Sequence, residues 1–171
     1  MTSRENYPSI VLCKRRNVMT NAPPEVRILP MDSVKEFPDW SIEKLQHEFF
    51  LEKLPFRPDS EYLFHKAGLA AVSGTVVLFQ FRAFLVASAV LSDVERFEKP
   101  KIEIYNGERF VYEGALYFEP TSIRIFDPIG TDVVSQIWPD FVGFSHVKHR
   151  LDPKRYTAFE RKLRHVEGAK A

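Results

Sequence analysis

The sequence predicts an α+β domain with a mixed, mainly antiparallel sheet and about three helices. Three observations carry this. Five runs rich in β-branched and aromatic residues crowd between Thr75 and Phe126. Asn106-Gly107 lies between two of them, and both residues tolerate the positive φ of a type I′ hairpin turn. Outside this block, WSIEKLQHEFFLEKL and the segment after Asp152-Pro153 carry apolar residues at helical spacing.

Taken in order, Ser9 to Cys13 reads as a first strand, ended by the basic triplet Lys14-Arg15-Arg16. Residues 17–39 hold Pro23, Pro24, Pro30 and Pro38, so no long regular element fits there, although Val26 to Leu29 suits a short edge strand. Asp39 or Ser41 caps the next helix, which presents Ile42, Leu45, Phe49, Phe50 and Leu54 before Pro55 stops it. Strands follow at Thr75 to Phe81, Phe84 to Leu91 with an extension toward Phe97, Lys101 to Tyr105, Glu108 to Phe118, and Ser122 to Phe126. Asp127-Pro128 and Asp152-Pro153 share one grammar, a capping carboxylate before a proline at the first helical position, so each predicts a helix start. The second helix buries Tyr156, Phe159, Leu163 and Val166 and spreads Lys and Arg over its remainder.

The 171 residues suit one domain, with the proline-bearing stretch 17–39 as an irregular insertion. One cysteine, Cys13, allows no internal disulfide, and residues 1–17 lack the apolar run of a signal peptide, so a cytoplasmic protein is expected. The most apolar run, Thr75 to Leu91, is shorter than ~20 residues and contains Gln80, Arg82 and Ser88, so no membrane role is expected.

Little of the known chemistry of sites is present. The 7 glycines never group into a phosphate-cradling loop, and neither Ser73-Gly74 nor Gly143 to His146 sits on a strand–turn–helix elbow. His146, His149 and Asp152 could form a turn-based metal site, but charged surface explains them equally; no metal and no cofactor are expected. Asp93, Glu95 and Glu103 could serve a metal-dependent nuclease, or simply solvate a sheet edge.

Charge distribution says more than its total of +1. Residues 1–55 hold 8 basic and 8 acidic side chains, residues 56–140 hold 8 and 12, and residues 141–171 hold 8 and 3. Arg15, Arg16, Lys148 and Arg150 are therefore candidate phosphate contacts, with an ordinary solvated face as the alternative. Trp138, Phe141 and Phe144 surround Pro139-Asp140, and Tyr105, Tyr112 and Tyr117 lie on the hairpins; some of these rings could stack on a flipped or unpaired base read by Asp127 or Asp140, and core packing competes for the same rings.

TVVLFQFRAFLVASAVLSDVERF (75–97) and YNGERFVYEGALYFEPTSIRIFDPI (105–129), with a closing helix after Leu151-Asp152-Pro153, resemble the PUA-like superfamily, which contains the EVE, ASCH and SRA-type modules. The resemblance spans residues 60–165. It implies a partly closed β-barrel with flanking helices, a base pocket at the barrel's open edge to which Trp40, Trp138 and Phe141 would correspond, and recognition of structured RNA or modified DNA without chemistry, as in modules of bacterial defence systems. The expected function is thus a non-catalytic nucleic-acid-binding module. Its rivals are a metal-dependent nuclease and a protein-interaction subunit of a defence or toxin system, whose hydrophobic edge joins a toxin, a nuclease or a like subunit.

Overall fold

The computed structural model describes residues 22–66, 68–145 and 149–168, with side chains of the last helix described to Leu163. The expected strand at Ser9 to Cys13, together with Arg15, Arg16, His146 and Lys148, lies outside the described residues.

Seven strands form one mixed sheet: β1 Val26–Pro30, β2 Glu61–Phe64, β3 Val76–Phe81, β4 Phe84–Tyr105, β5 Glu108–Phe118, β6 Arg124–Ile129 and β7 Arg150–Leu151. Their order is β2-β5-β4-β3-β1-β7, with β6 paired to β4 beside this path. β1 runs parallel to β3, from Val26↔Val76 to Pro30↔Gln80, and every other pairing is antiparallel.

The sheet is open, which corrects the expected partly closed barrel. Its end strands, β2 and β7, do not pair with each other. The reason lies in the side chains. Alternation along a strand sends successive residues to opposite faces, and β3 is buried at every position, so each face needs its own cover, whereas a barrel offers a single interior. On one face Leu29, Val77, Phe79, Phe81 and Leu91 pack with Leu45, Phe49, Phe50 and Leu54. On the other, Val26, Ile28, Val76, Leu78 and Leu85 pack with Val134, Ile137, Tyr156, Phe159 and Leu163.

Helix α1 supplies the first cover in three consecutive segments: an α-helical start Ile42–Lys44, a π-helical body Leu45–Lys53 and a 3-10 end Leu54–Phe56. Ser41 is the cap, accepting from Lys44 N at 3.1 Å. The apolar positions 45, 49, 50 and 54 recur every four to five residues, so the wider i→i+5 winding keeps them all facing the sheet; Leu54 N accordingly donates to Phe49 O. Helices α2 (Thr131–Ile137) and α3 (Tyr156–Gly168) cover the second face. Asp152 caps the turn that opens α3, accepting from Lys154 N at 3.0 Å.

Two further expectations are corrected. Asp127-Pro128 starts no helix; it lies inside β6, and Gly130 precedes α2. The β4–β6 register skips from Leu85↔Ile129 to Ala87↔Ile125, so Pro128 sits where the ladder is already interrupted and its missing N–H leaves no gap. β1 is an interior strand, because two residues of β7 pair along its second edge.

β4 is continuous for 22 residues. Phe84 to Val90 belongs to the centre of the sheet, and the stretch beyond Arg96 forms an outlying arm with β5. The register jumps between Arg96 and Lys101, a bulge that absorbs Pro100, and the arm ends at Asn106-Gly107 with φ 50° and 78° as the hairpin reading requires. No helix among the described residues is long and apolar enough to cross a membrane.

Candidate functional site: an aromatic and cationic cleft

A cleft of about 660 Å³ lies between the 31–40 loop, the end of α1 and the β4–β5 arm, within the size range of small-ligand sites. The chain builds each wall locally. After β1, Asp32 Oδ1 accepts from the backbone N–H groups of Val34 and Lys35, both at 2.8 Å, which turns the loop back on itself. Phe37 then enters the core edge-on to Phe49, ring centroids 5.1 Å apart. Trp40 follows at the junction of loop and helix, half-buried and edge-on to Phe37 at 5.2 Å. Its carbonyl accepts from Arg82 Nη2 at 3.0 Å. The facing wall is the arm, through Tyr105, Asn106, Glu108 and Phe110, and Tyr62 and Tyr112 also line the cleft.

Positive charge gathers on the loop and helix side. The Lys44 ammonium lies 4.5 Å from the Trp40 ring centroid and that of Lys53 lies 5.3 Å away. An indole face attracts cations through its quadrupole, so one ring holds two charges that would otherwise repel. Lys35 and Arg57 line the same space, against Glu36 and Glu108. The Arg57 guanidinium stands 5.4 Å over Phe49 and donates to Glu61 O at 3.3 Å.

Beside the cleft, a carboxyl–imidazole pair that includes the lining residue Glu36 joins segments distant in sequence. His65 Nε2 meets Glu36 Oε1 at 2.7 Å, and His65 Nδ1 meets the Val111 carbonyl at 2.9 Å. Tyr112 stacks on the imidazole at 4.8 Å and 22°. Burial raises the Glu36 carboxyl above its ordinary pKa, against the opposing hydrogen bond and charge of His65. Burial and the Glu103 carboxylate push Tyr105 up to about 12, and burial followed by the Glu36 charge pushes Tyr112 higher still. The tyrosine hydroxyls of the cleft are therefore neutral hydrogen-bond donors at physiological pH.

Of the described residues singled out from sequence, the structure brings Trp40, Tyr105 and Tyr112 to this cleft and places Trp138, Phe141, Asp127 and Arg150 elsewhere. Trp138, 3% exposed, and Phe141, 5% exposed, lie in the core on the opposite face of the sheet. Trp138 Nε1 donates to Asp152 O at 2.8 Å, so the indole's polar edge is already satisfied. The stacking role expected of these two rings gives way to core packing. Asp127 is half-buried on β6. Arg150 is on β7, where Glu25 binds it at 2.9 Å. That is four strand spacings from β5, or about 19 Å at ~4.8 Å each. Sequence reasoning missed Glu36, Arg57 and His65; they come from three separate segments, and no local spacing marks them.

The nuclease grouping does not assemble. Glu95 accepts a hydrogen bond from the Tyr117 hydroxyl. Glu103 accepts one from Tyr105 and pairs with Lys101 at 3.0 Å. The two acids are eight residues apart on one strand, up to about 26 Å at ~3.3 Å per residue. Among the described residues no group of three His, Cys, Asp or Glu side chains could hold a metal ion.

No protein-family model matches the chain, and no curated protein or solved structure is significantly similar to it. The cleft is therefore interpreted from its own chemistry.

Proposed function

We propose that the protein is a non-catalytic nucleic-acid-binding module whose cleft takes an unpaired base of DNA or RNA. The observation that carries the reading is Trp40 beneath the Lys44 and Lys53 ammonium groups at the rim of a cleft lined with tyrosines. A base has a π face to offer the indole and a phosphate to offer the lysines, so one nucleotide engages both halves of the arrangement. Stacking of a base on an aromatic side chain contributes about 1–3 kcal/mol. Lys35, Lys53 and Arg57 would neutralise up to three phosphates, giving a salt slope of roughly −2 for a single strand.

The test is fluorescence anisotropy with labelled single-stranded and duplex DNA and RNA, with and without modified bases, from ~50 to ~200 mM salt. Preferential binding to single strands is expected, with a slope near −2 and a loss of about 5- to 150-fold in Trp40→Ala. Equal affinity of wild type and Trp40→Ala, or no binding to any form, would discard the reading.

A second reading has its own observation. Ile102 and Val111 are directly opposite in the arm's register and lie with Ile104 on the face away from the tyrosines; Ile104 is 71% exposed. Apolar side chains grouped on an exposed hairpin favour a protein-interaction subunit. Sedimentation of the protein alone tests the version of this reading in which the partner is a second copy; a monomer at all concentrations excludes that version.

A further inference from the structure

We propose that Glu36 and His65 form a proton-dependent clasp that ties the loop wall of the cleft to its arm wall and releases it as pH rises. Glu36 belongs to the 31–40 loop, Val111 to β5 in the arm, and His65 follows β2 and touches both. The protonation states follow from the partners. A backbone carbonyl only accepts, so Nδ1 must carry a hydrogen to meet Val111 O. Nε2 faces a carboxyl oxygen, and a hydrogen must lie between them, either on the imidazolium with Glu36 ionised or on the Glu36 carboxyl with His65 neutral. When that one proton leaves, a nitrogen lone pair confronts a carboxylate and the 2.7 Å contact becomes repulsive.

The surroundings favour retention of the proton. Glu36 is largely buried, and Asp32 on its own loop adds negative charge; both raise the carboxyl's pKa, with burial the larger effect. Arg57, at the end of α1, opposes them. From β2 and β5, Tyr62 and Tyr112 present hydroxyls that burial keeps neutral, and Glu103 and Tyr105 of β4 add longer-range influences on Tyr112. A group with a raised folded-state pKa gives stability at low pH that is lost as pH climbs through the folded value. Glu36 therefore agrees in sign with the proton count of the pair. Both imidazole nitrogens are engaged, so His65 positions the walls and has no nitrogen left for catalysis on a ligand.

Two variants isolate the clasp. In Glu36→Gln the amide N–H donates to the bare Nε2 of neutral His65, so the tie holds without a shared proton. In His65→Phe a ring still stacks on Tyr112 but no tie forms at any pH. Imidazole ¹⁵N spectra and amide-exchange protection of residues 110–112 are to be measured from pH 6 to 9 on the full chain without ligand. Wild type should keep hydrogen on Nδ1, lose the shared proton, and lose about tenfold protection across the range. Glu36→Gln should stay protected throughout and His65→Phe unprotected throughout. A bare Nδ1 in wild type, or identical pH profiles for wild type and Glu36→Gln, would overturn the clasp.

Its effect on ligand rests on the nucleic-acid reading and is tested separately with a labelled single-stranded oligonucleotide. Wild-type affinity should fall several-fold from pH 6 to 9 while that of Glu36→Gln stays level, because walls already held together lose less freedom on binding. A clasp seen by ¹⁵N spectra with no oligonucleotide bound overturns only the proposed ligand. Binding whose pH dependence is the same in Glu36→Gln overturns only the coupling.

Discussion

Gln46 Nε2 donates to the Val86 carbonyl at 2.9 Å and, in the same buried position, to the Phe126 carbonyl at 2.6 Å. Val86 is the residue at which the β4–β6 register is broken. One side-chain amide on α1 thus serves two carbonyls at the interruption of the ladder and fastens the helix to two strands. Gln46→Leu keeps the volume and leaves both carbonyls buried without this donor, at about 1–3 kcal/mol for each group left unsatisfied. Chemical denaturation should show a fall in midpoint with little change in slope. An unchanged midpoint would mean that the strands recover these bonds elsewhere.

Gly114 on β5 stands against both the Glu95 carbonyl of β4 and the Phe64 ring of β2. A Cβ there would overlap both the Glu95 carbonyl and the Phe64 ring. Rings can shift, but a strand carbonyl fixed in its sheet cannot do so without disturbing its own pairing, so Gly114→Ala should cost about 3 kcal/mol or more. The arm begins just past this point, so amide exchange should quicken in residues 108–113 first. A variant as stable as wild type would show that β4 and β5 separate more easily there than their register implies.

Acid should loosen the outer arm while alkali loosens the inner clasp. Burial alone would raise the Glu103 carboxyl, but hydrogen bonds from Tyr105 and Lys101 outweigh it and leave the pKa lowered. A lowered carboxylate gives stability above its unfolded pKa that is lost as pH falls through the folded one. Lys101 also reaches Glu61 at 3.7 Å, so this group joins the arm to β2. These side chains are accessible to solvent and salt, so Glu103→Gln should cost less than about 1 kcal/mol at neutral pH. Its signature is the loss of the acid-side change in arm exchange between pH 5 and 2. Persistence of that change in the variant would assign it to another carboxylate.

Much of the fold was legible wherever a local signal and its tertiary context agree. Asn106-Gly107 forms the expected hairpin turn, and Ser41 and Asp152 cap as their positions suggest. Asp127-Pro128 has the same local grammar as Asp152-Pro153 but is claimed by β6, because Phe126 and Ile129 beside it have an apolar core to enter. The open sheet was hidden for a related reason. Runs such as VVLFQF read as strands equally well in a barrel or between two helical layers, and only the positions of α1, α2 and α3 decide between them. Trp40 was named only through the family resemblance, and nothing local marked the pair beside it, since Glu36, His65 and Val111 meet only after β2 and β5 have paired.

The two tryptophans separate the pocket expected from sequence from the cleft seen in the structure. Trp138 packs 5.5 Å from Phe159 and bonds Asp152 O, so Trp138→Phe removes a hydrogen bond and leaves a small void, at about 1–3 kcal/mol of stability. Its effect on oligonucleotide affinity should stay within twofold. Trp40 is half-buried at the cleft rim, so Trp40→Ala should reduce affinity much more than stability. The same pair supplies an optical readout. A base stacking on Trp40 should quench its emission in the Trp138→Phe protein, and the Trp40→Ala protein should show no quenching. Quenching confined to Trp138, or an affinity loss in Trp138→Phe greater than that in Trp40→Ala, would return the site to the opposite face of the sheet, among Phe141, Phe144 and His149.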